Sequence, residues 1–190
     1  MVIQLDKRSL RRSLLSARSA IPADRWQQAS EQLSYQLSQT SAIQTAKTVL
    51  AYFSTRCEPD LSALFAQQRS LAWGFPRCQG KVLFWHQCDP FDSTQHQSGA
   101  YGITEPAEQC PQLSAKEVDL ILVPAVACDR DGYRLGYGGG FYDRLFSQPD
   151  WAQVPTIGIV FESAFLPQLP HDPWDRSLTA VCTEQGLYTI

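Results

Sequence analysis

Between residues 123 and 144 the sequence reads Val123-Pro124-Ala125-Val126-Ala127-Cys128-Asp129-Arg130-Asp131-Gly132-Tyr133-Arg134-Leu135-Gly136-Tyr137-Gly138-Gly139-Gly140-Phe141-Tyr142-Asp143-Arg144. A buried-strand pattern runs into a loop with four glycines in five positions, then into a helical pattern. Glycines lack Cβ atoms, so successive backbone N–H groups can turn towards one point, and the start of the following helix adds attraction for anions. The chemistry favoured here is phosphate binding. Arg134 offers a planar fork for phosphate oxygens and Asp143 a carboxylate for a magnesium ion bridging them, a combination better suited to a triphosphate than a monophosphate. The spacing is neither G-x-x-x-x-G-K-[ST] nor G-x-G-x-x-G, which excludes a P-loop and a Rossmann fingerprint. Taken alone, the glycines are also compatible with a plain tight turn flanked by solvated charges.

The elements that must position this loop follow from hydrophobic period. Residues 5–18 lack Gly and Pro, and at about 100° per residue Lys7, Leu10, Arg11 and Leu14 share one arc, so two cations lie on the apolar side of a helix. A second helix opens at Pro22 and repeats Trp26, Ala29, Leu33 and Leu37 at spacings of three and four. Strands are expected at 48–54, 71–75, 81–86, 118–126, 156–161 and 180–183, with helices at 60–68 and 141–146. The runs Val49-Leu50-Ala51-Tyr52-Phe53 and Leu120-Ile121-Leu122-Val123 are continuously apolar, as strands covered on both faces are. The alternation predicts a single-domain three-layer α/β/α sandwich with a mainly parallel sheet, spanning 1–190, in which 71–86 can form a hairpin. Residues 87–112 are expected to cross the end of the sheet as an irregular excursion.

A net charge of −3 over 190 residues supplies no field for nucleic acid or anionic lipid. No apolar run approaches the roughly 20 residues of a membrane span, and residues 1–18 are charged throughout. A cytoplasmic monomer acting on small molecules, without nucleic-acid or membrane partners, is the expectation. The six cysteines form no C-x-x-C pair or zinc spacing and read as reduced packing thiols, Cys128 included. His86 and His96 read as structural and His171 as surface. Glu58, at the end of a buried strand, is either a helix-start residue or a ligand for N–H donors.

The stretch from Leu122-Val123-Pro124 through Arg134-Leu135-Gly136-Tyr137-Gly138-Gly139-Gly140-Phe141-Tyr142-Asp143-Arg144 resembles the signature of the 5-formyltetrahydrofolate cyclo-ligase family. The likeness continues along the chain in Lys7-Arg8-Ser9-Leu10-Arg11 (K-x-x-L-R), Tyr52-Phe53-Ser54 with Glu58, Phe75-Pro76-Arg77, Gly102-Ile103-Thr104-Glu105-Pro106, and Trp174-Asp175 up to Thr183. It implies an α/β/α sandwich that uses ATP as co-substrate and Mg2+ to convert 5-formyltetrahydrofolate into 5,10-methenyltetrahydrofolate. Carried over by position, Lys7, Arg11, Arg134, Leu135, Gly136, Tyr137, Gly138, Gly139, Gly140, Phe141 and Tyr142 would contact ATP. Asp143 and Asp175 would hold the metal, and Phe53, Glu58 and Tyr142 would contact the folate, with Tyr142 and Arg134 nearest the chemistry. This sequence departs from the pattern at Phe141, often Tyr in the family, at Cys57 and Pro59 beside Glu58, and at Leu61 in place of a common Thr. Tyr137 and Gly139 stand where some relatives carry lysines, leaving Lys7, Arg11 and Arg134 to supply the positive charge.

The implied reaction moves the γ-phosphoryl group to the formyl oxygen, after which N10 closes the ring. That asks the protein for positioning and charge neutralisation and for no covalent nucleophile. From the residues alone, a sugar-phosphate isomerase or hydrolase and a silent nucleotide- or folate-binding module stay open as alternatives.

Overall fold

The computed structural model describes residues 6–99 and 102–190; the expected start of the first helix at Leu5 lies outside them. Helix α1 (Lys7–Ser19) begins at Asp6, whose carboxylate accepts the N–H groups of Arg8 and Ser9, the usual way to satisfy donors a first turn leaves free. Helices α2 (Ala23–Ser38) and α3 (Ser41–Thr45) follow, then β1 (Thr48–Leu50), α4 (Ser62–Gln67), β2 (Ala72–Gln79), β3 (Val82–Gln87), β4 (His96–Ser98), β5 (Thr104–Pro106), β6 (Gln112–Leu113) and β7 (Leu120–Pro124). The chain continues through β8 (Ala127–Asp129), β9 (Arg134–Leu135), α5 (Phe141–Phe146), β10 (Thr156–Ile159), β11 (Phe165–Leu166), β12 (Ala180–Thr183) and β13 (Gly186–Thr189). Among the described residues, no helix is long and apolar enough to cross a membrane.

Eight strands form one sheet in the order β13-β12-β10-β7-β1-β2-β3-β6. The pairs from β12 to β2 are parallel, and β13, β3 and β6 add antiparallel edges. One face packs Leu33 and Leu37 of α2 and Leu64 and Phe65 of α4 against Val49, Leu120, Ile157 and Ala180. The other packs Leu145 and Phe146 of α5 against Leu50, Ile121, Val123 and Val181. Burial on both faces explains why these strands read as unbroken apolar runs. Helix α1 seats Leu10 and Leu14 on Val126, Ala127 and Leu135, beside the small sheet β11-β8-β9.

Several expectations are corrected by tertiary contacts. Strand β1 is shorter than 48–54: Ala51 N–H still donates to Gly74 O at 2.8 Å, after which the chain leaves the sheet. Strand β2 runs past its expected end at residue 75 and through Pro76, because Pro76 pairs with Trp85 of β3 and its missing N–H lies on the side where β1 has stopped at Leu50–Gly74. Of the run 118–126 only Leu120–Pro124 is strand (β7), and β8 (Ala127–Asp129), which follows it, belongs to a different sheet. The 87–112 segment is less irregular than its composition suggests, holding the β4–β5 pair and β6.

Phe75 is fully buried, stacked on Phe53 at 4.1 Å between centroids and edge-on to Phe65 at 5.5 Å. Phe75→Ala is therefore expected to destabilise the protein by about 3–5 kcal/mol, read as a lower urea midpoint at constant m-value.

Candidate active site

Strand β1 continues to β2 on one side, and the chain later returns to place β7 on its other side. In open α/β sheets such a reversal leaves a crevice beyond the carboxyl ends of the strands. A cleft of about 390 Å³ occupies that place. It is lined by Tyr52, Phe53, Thr55, Arg56 and Glu58 after β1, Pro124 at the end of β7, Pro76 and Cys78 of β2, Ile103 to Glu105 of the excursion, and most of the stretch from Arg134 to Asp143.

The glycine loop is held from behind by guanidinium groups. Arg11 Nε donates to Gly136 O at 2.6 Å and Arg144 Nη2 to Gly139 O at 2.7 Å. In a trans peptide the next N–H points opposite to the carbonyl, so the Tyr137 and Gly140 amides face away from those cations. Among the described residues, no group accepts the N–H of Gly136 through Gly140. Gly138 and Gly140 adopt φ of 97° and 64°, where side chains are strained. A Cβ on Gly139 would meet the Phe141 ring at 2.8 Å. Helix α5 has only six residues, so its dipole adds less than the loop amides do.

Asp129 sets up the loop's entry. Fully buried, its carboxylate accepts the N–H groups of Asp131, Tyr133 and Leu169 at 3.1, 2.8 and 2.8 Å, fixing the turn before Arg134. Arg134 is ion-paired through Nη2 with Asp143 and donates from Nη1 to Arg176 O at 2.8 Å. Its side chain is 5% exposed and that of Asp143 39%, so Asp143, which also lines the cleft, is the more open partner of the pair.

Glu58 is 2% exposed. Its Oε1 accepts the Tyr137 hydroxyl at 2.6 Å and its Oε2 the Thr55 N–H at 3.0 Å. Burial pushes its carboxyl above the ordinary range, opposed by those two hydrogen bonds and by Arg18 and Arg56. The turn that presents it is strained: Arg56 and Cys57 have φ of 49° and 57°, a left-handed conformation that non-glycine residues adopt mainly where surroundings force it. It is anchored by Trp26 Nε1 and Ser54 Oγ, both donating to Glu58 O at 3.0 and 2.9 Å. The helix-start reading of Glu58 is set aside, because Asp60 accepts the Ser62 N–H at the head of α4. Tyr142, half-buried, faces the same cleft; burial first and the Glu58 charge second keep its hydroxyl protonated well above its usual range.

Phe53, Glu58, Arg134, Gly136, Tyr137, Gly139, Gly140, Phe141, Tyr142 and Asp143 are thus brought together around one cleft. Lys7, Arg11 and Asp175 are not part of its lining and lie on the far flank of the loop. There Lys7 Nζ bonds both Asp172 and Asp175 at 2.6 Å. Burial would raise the Asp175 carboxyl, but the Lys7 ammonium and the Asp172 N–H hold it below its usual value. Leu135 is buried against α1. Among the described residues no group of three His, Cys, Asp or Glu side chains could hold a metal.

Three participants escaped the sequence reading. Arg18 donates to the Tyr137 hydroxyl from Nη2 and to Ala125 O at 3.2 Å from Nη1; helical arithmetic carried one turn further puts it about 20° from Lys7, which was the available signal. Thr55 and Arg56 carried none. Glu105, with no resolved role in the sequence, accepts the Cys78 N–H at 3.0 Å and ties the excursion to β2. Cys128 is fully buried and its thiol is pushed up to about 12, the inert packing thiol expected.

Fold and cleft together define an α/β enzyme with its site at the sheet's reversal point, walled by a glycine loop. The model of the 5-formyltetrahydrofolate cyclo-ligase family matches residues 3–184. The chain is 32% identical to the 5-formyltetrahydrofolate cyclo-ligase of Mycolicibacterium smegmatis, covering 97% of each chain. It is 31% identical to the probable 5-formyltetrahydrofolate cyclo-ligase of Schizosaccharomyces pombe over 69% of its own length and 68% of the other. It aligns with the NMR structure of Aquifex aeolicus 5,10-methenyltetrahydrofolate synthetase at a TM-score of 0.85 and 28% identity, covering 96% and 92% of the two chains. The chain belongs to the 5-formyltetrahydrofolate cyclo-ligase family. Its activity is the family's ATP-using conversion of 5-formyltetrahydrofolate into 5,10-methenyltetrahydrofolate, and the sugar-phosphate reading of the loop falls away.

Proposed function

We propose that the folate occupies the cleft between the Glu58 turn and Tyr142 while the glycine loop takes the triphosphate of ATP. The observation carrying this is one cleft that joins an apolar wall at Phe53, a buried carboxylate at Glu58 and a loop of amides, unpaired among the described residues, that ends at the Arg134–Asp143 pair. Flat aromatic surface and a carboxylate suit a pterin ring with several N–H donors. Free amides and an arginine suit phosphate.

In this reading Phe53, backed by Phe75, stacks against the pterin and Glu58 accepts its N–H groups. Arg134 neutralises charge as the γ-phosphoryl group moves to the formyl oxygen and ADP departs. N10 then attacks the formyl carbon, the carbon–oxygen bond to phosphate breaks, and N10 loses its proton. Tyr142, kept protonated, hydrogen-bonds near the reacting centre. Arg11 keeps the loop in shape through Gly136 O, and Lys7 with Asp175 offers charge on the outer flank.

The donor set fits magnesium, which is commonly held by one or two carboxylates, substrate phosphates and water. Asp143 at the cleft and Asp175, paired here with Lys7, would be the residues to hold it. The ion would supply charge neutralisation across the phosphates.

The direct test is spectrophotometric. Protein, ATP, magnesium and 5-formyltetrahydrofolate together are expected to generate the near-ultraviolet absorption of the methenyl product, with none formed when ATP is omitted. Folded protein that binds both ligands without an absorbance change would instead make it a silent binding module.

A further inference from the structure

The loop tyrosine stands between two charges. Tyr137 donates its hydroxyl hydrogen to Glu58 at 2.6 Å and accepts one from Arg18 Nη2. Arg18, 7% exposed, is itself fixed by Ala125 O at 3.2 Å and Arg56 O at 3.1 Å. A hydroxyl held between a guanidinium and a carboxylate forms a charge-assisted chain with both ends committed. Apart from Arg11 on Gly136 O and Arg144 on Gly139 O, the loop carrying Tyr137 is open: Gly138 and Gly139 are exposed and its amides are unpaired among the described residues. A ligand that orders this loop therefore orders the Tyr137 hydroxyl, and with it one oxygen of Glu58.

We infer that Tyr137 is a positioning residue coupling the two substrates, its hydroxyl aiming the Glu58 carboxylate at the folate when a triphosphate holds the glycine loop. Nucleotide and folate then bind with positive cooperativity, each raising the other's affinity by the same factor. The inference rests on the reading of Glu58 as a folate ligand. Because Tyr137 stabilises the charged carboxylate, losing its hydroxyl raises the pH at which Glu58 takes up a proton. The other groups facing Glu58 are Arg18 from α1, Tyr142 from α5, and Arg56 and Tyr52 from its own segment.

The experiment is calorimetric titration of 5-formyltetrahydrofolate into wild type, Tyr137→Phe and Glu58→Gln, each with and without a non-hydrolysable ATP analogue and magnesium. In wild type the analogue is expected to tighten folate binding roughly tenfold; in Tyr137→Phe the gain falls below about twofold. The acid limb of kcat/KM for the folate moves to higher pH in Tyr137→Phe, which a merely structural role would not produce. No coupling in wild type, wild-type coupling in Tyr137→Phe, or an unmoved acid limb each overturns the inference. Glu58→Gln separates the two layers: it is expected to lose folate affinity with and without analogue, and unchanged affinity would remove Glu58 from the folate site and the coupling with it. Should Tyr137→Phe fail to fold by near-ultraviolet circular dichroism, Tyr137→Leu, which keeps apolar bulk against α1, carries the same comparison.

Discussion

Arg134→Met is expected to lower kcat by roughly 10²–10³-fold, the range seen when one preorganised donor to transition-state charge is removed. Met keeps much of the aliphatic length that packs beside Phe146, whose ring lies 5.1 Å from the guanidinium carbon, so packing is largely conserved while the charge is lost. Arg134 sits between the Asp143 carboxylate and the Arg176 carbonyl, and both are left short of a donor. Because Asp143 is partly exposed, water takes over much of its solvation and the stability loss is smaller than for a buried pair. Rate and stability therefore separate: single-turnover kinetics should show the full loss in the chemical step, while the denaturation midpoint shifts modestly. Arg134→Lys should recover only part of the rate, since an ammonium cannot reproduce the fork that spans Asp143 and Arg176 O and that is proposed to meet phosphate. Near-wild-type turnover in Arg134→Met would remove this residue from the chemistry.

Asp143→Asn should cut turnover about 10²-fold or more and abolish its dependence on magnesium, with the fold unchanged. Asn still accepts from Arg134, and its position at the cleft mouth is half-exposed, so the expected stability change is below about 1 kcal/mol. The measurement is a magnesium titration of initial rate, paired with ATP binding at fixed and zero magnesium. A wild-type magnesium profile would show that the ion is held elsewhere. Since Arg134 and Asp143 touch, their losses should not add in the double variant.

Much of this protein was legible locally because the signals are local. The alternation of apolar runs identified the central strands, and continuous apolarity identified them as covered on both sides, which the two core clusters confirm. The stripe Lys7, Leu10, Arg11, Leu14 was readable from helical period alone, and its cations do turn inward, towards Asp172, Asp175 and Gly136. The loop's need for glycine was written in its composition, and the positive φ at Gly138 and Gly140 is the conformational reason. The 87–112 segment is less irregular than expected because its strands are short and polar: β4 and β5 pair with each other inside the segment, and only β6 joins the main sheet, against β3. Pro76 misled because a proline stops a strand only where its N–H is needed, and that depends on where the neighbouring strand ends.

By itself, then, the sequence determined the central strands and the main helices, the mainly parallel sheet and the family, because periodicity and a glycine motif are properties of neighbours along the chain. Only the tertiary structure decided that Arg134 is committed to Asp143, that Lys7, Arg11 and Asp175 stand outside the cleft lining, and that Tyr137 joins Arg18 to Glu58. Those pairings link residues 9, 79 and 119 positions apart. Hydrogen bonds of that reach depend on where the sheet's reversal places the strand ends, which no local pattern records.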